Sequence, residues 1–204
     1  MTKYIQKQEN TQNRTLKITH NSHAGLTGTT SINGFAGEDQ TVWLWNNSTI
    51  EIQDTSTVSA PSGARAIGIQ QNSAAILSDN PTINSIDETT ITLVENSSLE
   101  INDSSQISRT DDASNTEINV DATSSVNINS NSSWDGDVSC GGITSHVDTG
   151  GSTSVSIGST CNGYENISIM SSSSDNYLII GDILEQWGTV VYSPGDIIYF
   201  TKTF

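Results

Sequence analysis

Proline, cysteine and aromatic residues are scarce in this chain, at three, two and 6% of 204 residues. So few rings and kinks argue against a globule packed around aromatics. Cys140 and Cys161 are too few for a disulfide framework and are not spaced as a zinc knuckle, so they read as two reduced, half-buried thiols. Basic residues are also rare, seven Lys and Arg against 23 Asp and Glu, for a net charge of −16. From residue 18 onward only Arg65, Arg109 and Lys202 face 22 acidic residues. Such a body repels phosphate, which excludes nucleic acid as a partner. No apolar run approaches membrane-spanning length, and no apolar stretch of signal-peptide length opens the chain, so the reading is soluble, with no membrane insertion.

What is abundant is Ser (32), Thr (25) and Asn (19), more than a third of the chain. That composition alone would suggest disorder. The apolar residues, however, are phased. Pairs of the form apolar-x-apolar recur from Val42/Leu44 through Ile50/Ile52, Val58/Ala60, Ile67/Ile69, Ala75/Leu77, Ile91/Leu93, Leu99/Ile101, Ile118/Val120 and Val126/Ile128, and Trp134 closes the run. Ile83 and Ile107 hold the register with one apolar member each. The step is eight, with a slip of one after Val58 and of three after Ile107. Polar turns such as Glu95-Asn96-Ser97-Ser98 separate the pairs. A short strand and a polar turn, repeated, specify a β-solenoid.

The expected fold is therefore all-β, an elongated β-solenoid with a small C-terminal β-hairpin domain. Residues 1–41 read as an N-terminal attachment segment with short strands, 42–134 as the octad shaft, 135–174 as its irregular continuation, and 175–204 as a hairpin trimerisation element. Two geometries fit an octad. In a single-chain β-helix three octads make one coil, so that Ile67 stacks on Ile91 and Ile118, and Ala75 on Leu99 and Val126. In an intertwined trimeric β-prism three chains each supply one face. The first is about 20 Å tall and the second about 60 Å. The periodicity is compatible with both.

The octad resembles the triple-stranded β-helix of contractile-phage needles, though those favour Gly at the third position where this chain carries Leu, Ile or Val. The stretch Leu184-Glu185-Gln186-Trp187-Gly188-Thr189-Val190, a turn, and Ile198-Tyr199-Phe200-Thr201-Lys202-Thr203-Phe204 resembles a bacteriophage tail-fibre tip domain. In that family the domain extends well past the hairpin, so the resemblance implies a trimer-forming strand pair and not a whole receptor-binding tip. Together, shaft and tip imply a homotrimeric phage fibre, spike or capsid-decoration protein on the virion surface, assembled in the host cytoplasm and contacting other virion proteins.

Candidate contact residues are few. Trp43 and Trp45 suit a cap or partner contact, Trp187 a trimer contact, and Lys3, Lys7, Arg14 and Lys17 docking on an acidic virion surface. A glycan-binding adhesin is the alternative, and a β-helix polysaccharide depolymerase using Glu88, Glu95 or Glu117 a further one. The expectation is no enzyme, cofactor or metal. His20, His23 and His146 form no ligand pattern, Asp111-Asp112 and Asp135-Gly136-Asp137 lack a calcium-loop spacing, and serines are too common for a triad to be read.

Overall fold

The computed structural model describes residues 14–110, 116–129, 131–132, 134–148, 155–157, 167–170, 177–180 and 183–186. Among these there is no helix. Ile, Val and Thr alternate with polar residues at period two, which suits a pleated strand with one face buried. The first coil is β1 (Leu16–Thr19), β2 (His23–Leu26) and β3 (Ser31–Asn33). The second is β4 (Gln40–Trp45), β5 (Thr49–Ile52) and β6 (Thr57–Ser59). The third is β7 (Arg65–Ile69), β8 (Ala74–Leu77) and β9 (Thr82–Ser85). The fourth is β10 (Ile91–Leu93), β11 (Ser98–Ile101) and β12 (Gln106–Arg109), and β13 (Ile118–Val120) and β14 (Ser125–Ile128) open a fifth.

Every strand of these coils lies parallel on its counterpart one coil away, giving three sheets that face one core. Ile67 pairs with Ile91 and Ile91 with Ile118; Ala75 pairs with Leu99 and Leu99 with Val126; Ile83 pairs with Ile107. These are the ladders expected of a single-chain β-helix, and all form within one chain. Their side chains are fully buried or nearly so. At about 4.8 Å per coil the stack rises roughly 20 Å.

The corners explain the Ser and Asn content. Between the first and second sheets, His20-Asn21, Asn46-Asn47, Gln71-Asn72 and Glu95-Asn96 all have left-handed backbone, φ 53 to 60°. Asn holds the second place each time, and it tolerates that region better than most residues. A serine follows in every case. Ser48 Oγ donates to Trp45 O (2.9 Å) and Ser97 Oγ to Val94 O (2.7 Å). The same hydroxyl column accepts from the next coil, Ser73 Oγ from Ser48 N–H and Ser124 Oγ from Ser97 N–H, both at 3.1 Å. Buried backbone polar groups are thus satisfied by side chains where the sheet hydrogen bonds stop. Between the second and third sheets, Gly28, Asp54, Asp79 and Asp103 form one left-handed column, and Asp54 accepts from Gly28 N–H (2.7 Å).

Both ends differ from the sequence reading. The solenoid begins before Val42: Leu16/Ile18 pair with Val42/Leu44, Ala24/Leu26 with Ile50/Ile52, and Ile32 with Val58. The Ala24-Gly25-Leu26 pair is weakly apolar and Ile32 stands alone, so this coil is faint in the pattern. Over 135–174 the parallel winding stops. β15 (Asp135–Cys140) still lies parallel to β13, but β16 (Ile143–Asp148) returns antiparallel across the Gly141-Gly142 turn. β17 (Val155–Ile157), β18 (Ile167–Met170), β19 (Tyr177–Ile180) and β20 (Ile183–Gln186) extend the second sheet as an antiparallel meander. The expected hairpin of 189–200 lies outside the described residues. Cys140, at the reversal, is disulfide-bonded and not a reduced thiol; Cys161 is the only other cysteine in the sequence. Spacing in a sequence carries no information about such a fold-back. Trp134 is buried, and its indole donates to Ile107 O (3.2 Å), closing the third column as the octad predicts.

Candidate functional site

The outer face of the first sheet carries an aromatic and cationic cluster. Along β4, Val42 and Leu44 point into the core, so Trp43 and Trp45 point out on the same side. Their rings stack with centroids 5.6 Å apart at 17°. β1 lies beside β4 with Lys17 opposite Trp43, which places the Lys17 ammonium 4.6 Å from the Trp43 ring and 5.9 Å from that of Trp45. The Arg14 guanidinium lies 3.8 Å over Trp43, and His20 meets Trp45 edge-on at 5.4 Å. These are cation–π distances. Burial lowers the Arg14 pKa from its ordinary value while Asp39 acts the other way, and the group remains a cation.

On the other flank Gly68 of β7 lies opposite Trp43, and Thr92 of β10 opposite Gly68. The Gln40 amide fills the space where a side chain at position 68 would project, and a Cβ there would collide with it. Gln40 and Trp43 are 4% and 7% exposed. Gln40 Oε1, Trp43 Nε1, Thr92 Oγ1 and Arg65 Nε are buried without a hydrogen-bond partner in the protein. An unmade buried hydrogen bond costs about 1–3 kcal/mol, so four in three adjacent strands is a notable concentration.

A second feature is the corner between the third and first sheets. The octad step holds at the other two corners, but here it is ten residues from Ile32 to Val42, nine from Val58 to Ile67, eight from Ile83 to Ile91 and eleven from Ile107 to Ile118. All the slips in the repeat therefore fall on one edge. In repeat proteins such an edge is often the one that binds. The two exposed large apolar side chains among the described residues, Phe35 and Ile86, stand on it. Inside it, the buried Glu38 carboxylate accepts from Thr41 Oγ1 (2.6 Å) and Thr15 Oγ1 (2.8 Å), in space left by Gly34. This tie fixes residue 15 and so delivers Arg14 to Trp43.

Of the residues singled out in the sequence, Trp43, Trp45, Arg14 and Lys17 come together in one cluster. Trp43 is covered and Trp45 is partly exposed. Trp187, Lys3 and Lys7 lie outside the described residues. Glu88 and Glu117 lie at the variable edge and Glu95 at the corner between the first and second sheets, so the three line no common groove. Among the described residues no three His, Cys, Asp or Glu side chains are grouped to hold a metal ion. Sequence reasoning missed Gln40, Arg65, Gly68 and Thr92. The readable signal was Gly68, a glycine at an outward strand position between Ile67 and Ile69. Compared with known families, with characterised proteins and with solved structures, the chain matches none.

Proposed function

We propose that the chain is a non-enzymatic structural protein of a virion, the shaft of a homotrimeric phage fibre, spike or capsid decoration. The observation that carries this reading is the in-register parallel stack of β1 to β14, closed on an apolar core and coated with Ser, Thr and Asn, with length variation kept to one edge. That architecture supplies a stiff projecting surface. The acidic coat (net −16 for the chain) keeps such shafts apart in solution. Attachment falls to the basic N-terminal residues Lys3, Lys7, Arg14 and Lys17, of which Arg14 and Lys17 also lie against Trp43. Immunogold labelling of purified particles should place the chain on their surface, and sedimentation equilibrium should give a trimer. An unlabelled particle, or a monomer at micromolar concentration, overturns the proposal.

A second reading, a glycan-binding module, is supported by the stacked Trp43–Trp45 pair among cations. The two readings are compatible if the shaft also touches the host surface. Release of oligosaccharide from a host polymer would instead indicate a depolymerase.

A further inference from the structure

We propose that the outer face of the first sheet, around Trp45, Lys17 and Gln40, binds a carboxylated saccharide. The proposal rests on the host-contact reading above and gives it a ligand class. Three observations converge. First, Arg14, Lys17 and Arg65, three of only seven basic residues in a chain of net charge −16, lie on or beside the strands of this cluster. A concentration of cations on an acidic body selects an anionic ligand. Second, the unpartnered atoms mix donors with acceptors: Trp43 Nε1 and Arg65 Nε donate, Gln40 Oε1 accepts, and Thr92 Oγ1 does either. Sugar hydroxyls both donate and accept, so one hydroxyl-rich ligand answers all four, whereas a carboxylate alone cannot satisfy Gln40. Third, Trp45 offers a partly exposed ring beside them, and Gly68 adds no side chain of its own to the outer face.

Binding requires the long Lys17 and Arg14 side chains to turn from the indole faces to the ligand carboxylate. That movement opens the face of the Trp43 ring, next to the Gln40 amide over Gly68, to the ligand. Arg14 then offers the paired N–H geometry that matches a carboxylate. Because both indoles change surroundings, tryptophan fluorescence reports the event.

The test titrates the full-length chain with a galacturonate tetramer, a neutral galactose tetramer and a glutamate tetramer, followed by fluorescence and calorimetry. The expected result is saturable binding of galacturonate that weakens as salt rises. The neutral sugar and the acidic peptide should each bind at least about tenfold more weakly, a difference near 1.4 kcal/mol. Lys17→Gln and Trp45→Ala should each reduce galacturonate affinity by at least about tenfold. Lys17→Gln should keep the wild-type melting temperature, which guards against loss of fold as the cause. Absence of saturable galacturonate binding overturns the proposal. So does equal binding of the glutamate peptide, which would indicate an acidic protein partner, or affinity untouched by Lys17→Gln. None of these outcomes bears on particle labelling or trimer formation, so the structural role stands or falls separately.

Discussion

The corner between the first and second sheets and the corner between the third and first sheets solve the same problem differently. At the first, a serine ends the turn in every described coil, two left-handed residues precede it in the first four, and the apolar step stays at eight from Leu16/Ala24 to Ile118/Val126. Ser48, Ser73, Ser97 and Ser124 stack along the axis and satisfy one another's coils. No residue can be added there without losing a place in the column. At the other corner the step varies from eight to eleven, and bonding is improvised locally: Thr41 to Glu38, Ser85 to the Glu88 carbonyl, Arg109 Nη2 to the Asp87 carbonyl. The lesson is that a solenoid needs strict length at only some of its corners, and the tolerant one is where surface chemistry can change.

An insertion tests this most directly. One Gly added between Asn72 and Ser73 shifts β8 by a residue and turns Ala75 and Leu77 away from the core, or else breaks the serine column. Exposing a leucine costs about 1.5–3 kcal/mol by itself, so the total loss should be several kcal/mol. The same insertion between Gly63 and Ala64 lengthens a loop whose closure cost grows slowly, and should cost less than about 1 kcal/mol. Urea unfolding of both variants reads the difference. Equal losses would mean that the two corners are not distinct.

A smaller effect comes from the backbone itself. Asn72 has φ 58°, where a β-branched residue is strained, so Asn72→Val should lose about 1–2 kcal/mol while Asn72→Gly stays near the wild type. At the tolerant corner, Thr89→Val should change stability by less than about 0.5 kcal/mol. If Thr89→Val proves as damaging as Asn72→Val, the left-handed pair is not what distinguishes the corners.

The central ladders were legible because burial of alternate residues imposes a period that Ser, Thr and Asn cannot mimic; Ile67, Ile91 and Ile118 stack as their spacing requires. The first coil was hidden because Ala24 and Ile32 carry too little apolar weight beside Gly25 and Gly28. The antiparallel reversal at Gly141-Gly142 and the Cys140 disulfide were illegible because neither depends on a local pattern. For the site, the sequence displays Trp43, Trp45, Arg14 and Lys17 as separate clusters. Only the pairing of β1 with β4 shows that the cations lie on the rings. Gln40, Arg65 and Thr92 join the cluster through registry across three coils, which no window of the sequence contains.

The last contrast is electrostatic and has the smallest effect. Asp121 belongs to the strict corner. Burial raises its pKa, but hydrogen bonds from Glu95 N–H, Ser124 and Thr123 outweigh it and hold the carboxyl below its ordinary value. Asp87 belongs to the tolerant corner, where the Gly63 N–H and Ser62 hydroxyl lower its pKa at a partly exposed position. Both groups are more acidic folded than unfolded, so protonation favours unfolding. Their stabilisation is complete above the unfolded value near 4 and is lost as pH falls through the folded values. Thermal melts between pH 5 and pH 2 should show a melting temperature that drops with acid. Asp121→Asn should flatten that drop more than Asp87→Asn, because three neighbouring residues donate to Asp121 and two to Asp87. Identical slopes for wild type and both variants would show that neither carboxylate distinguishes its corner.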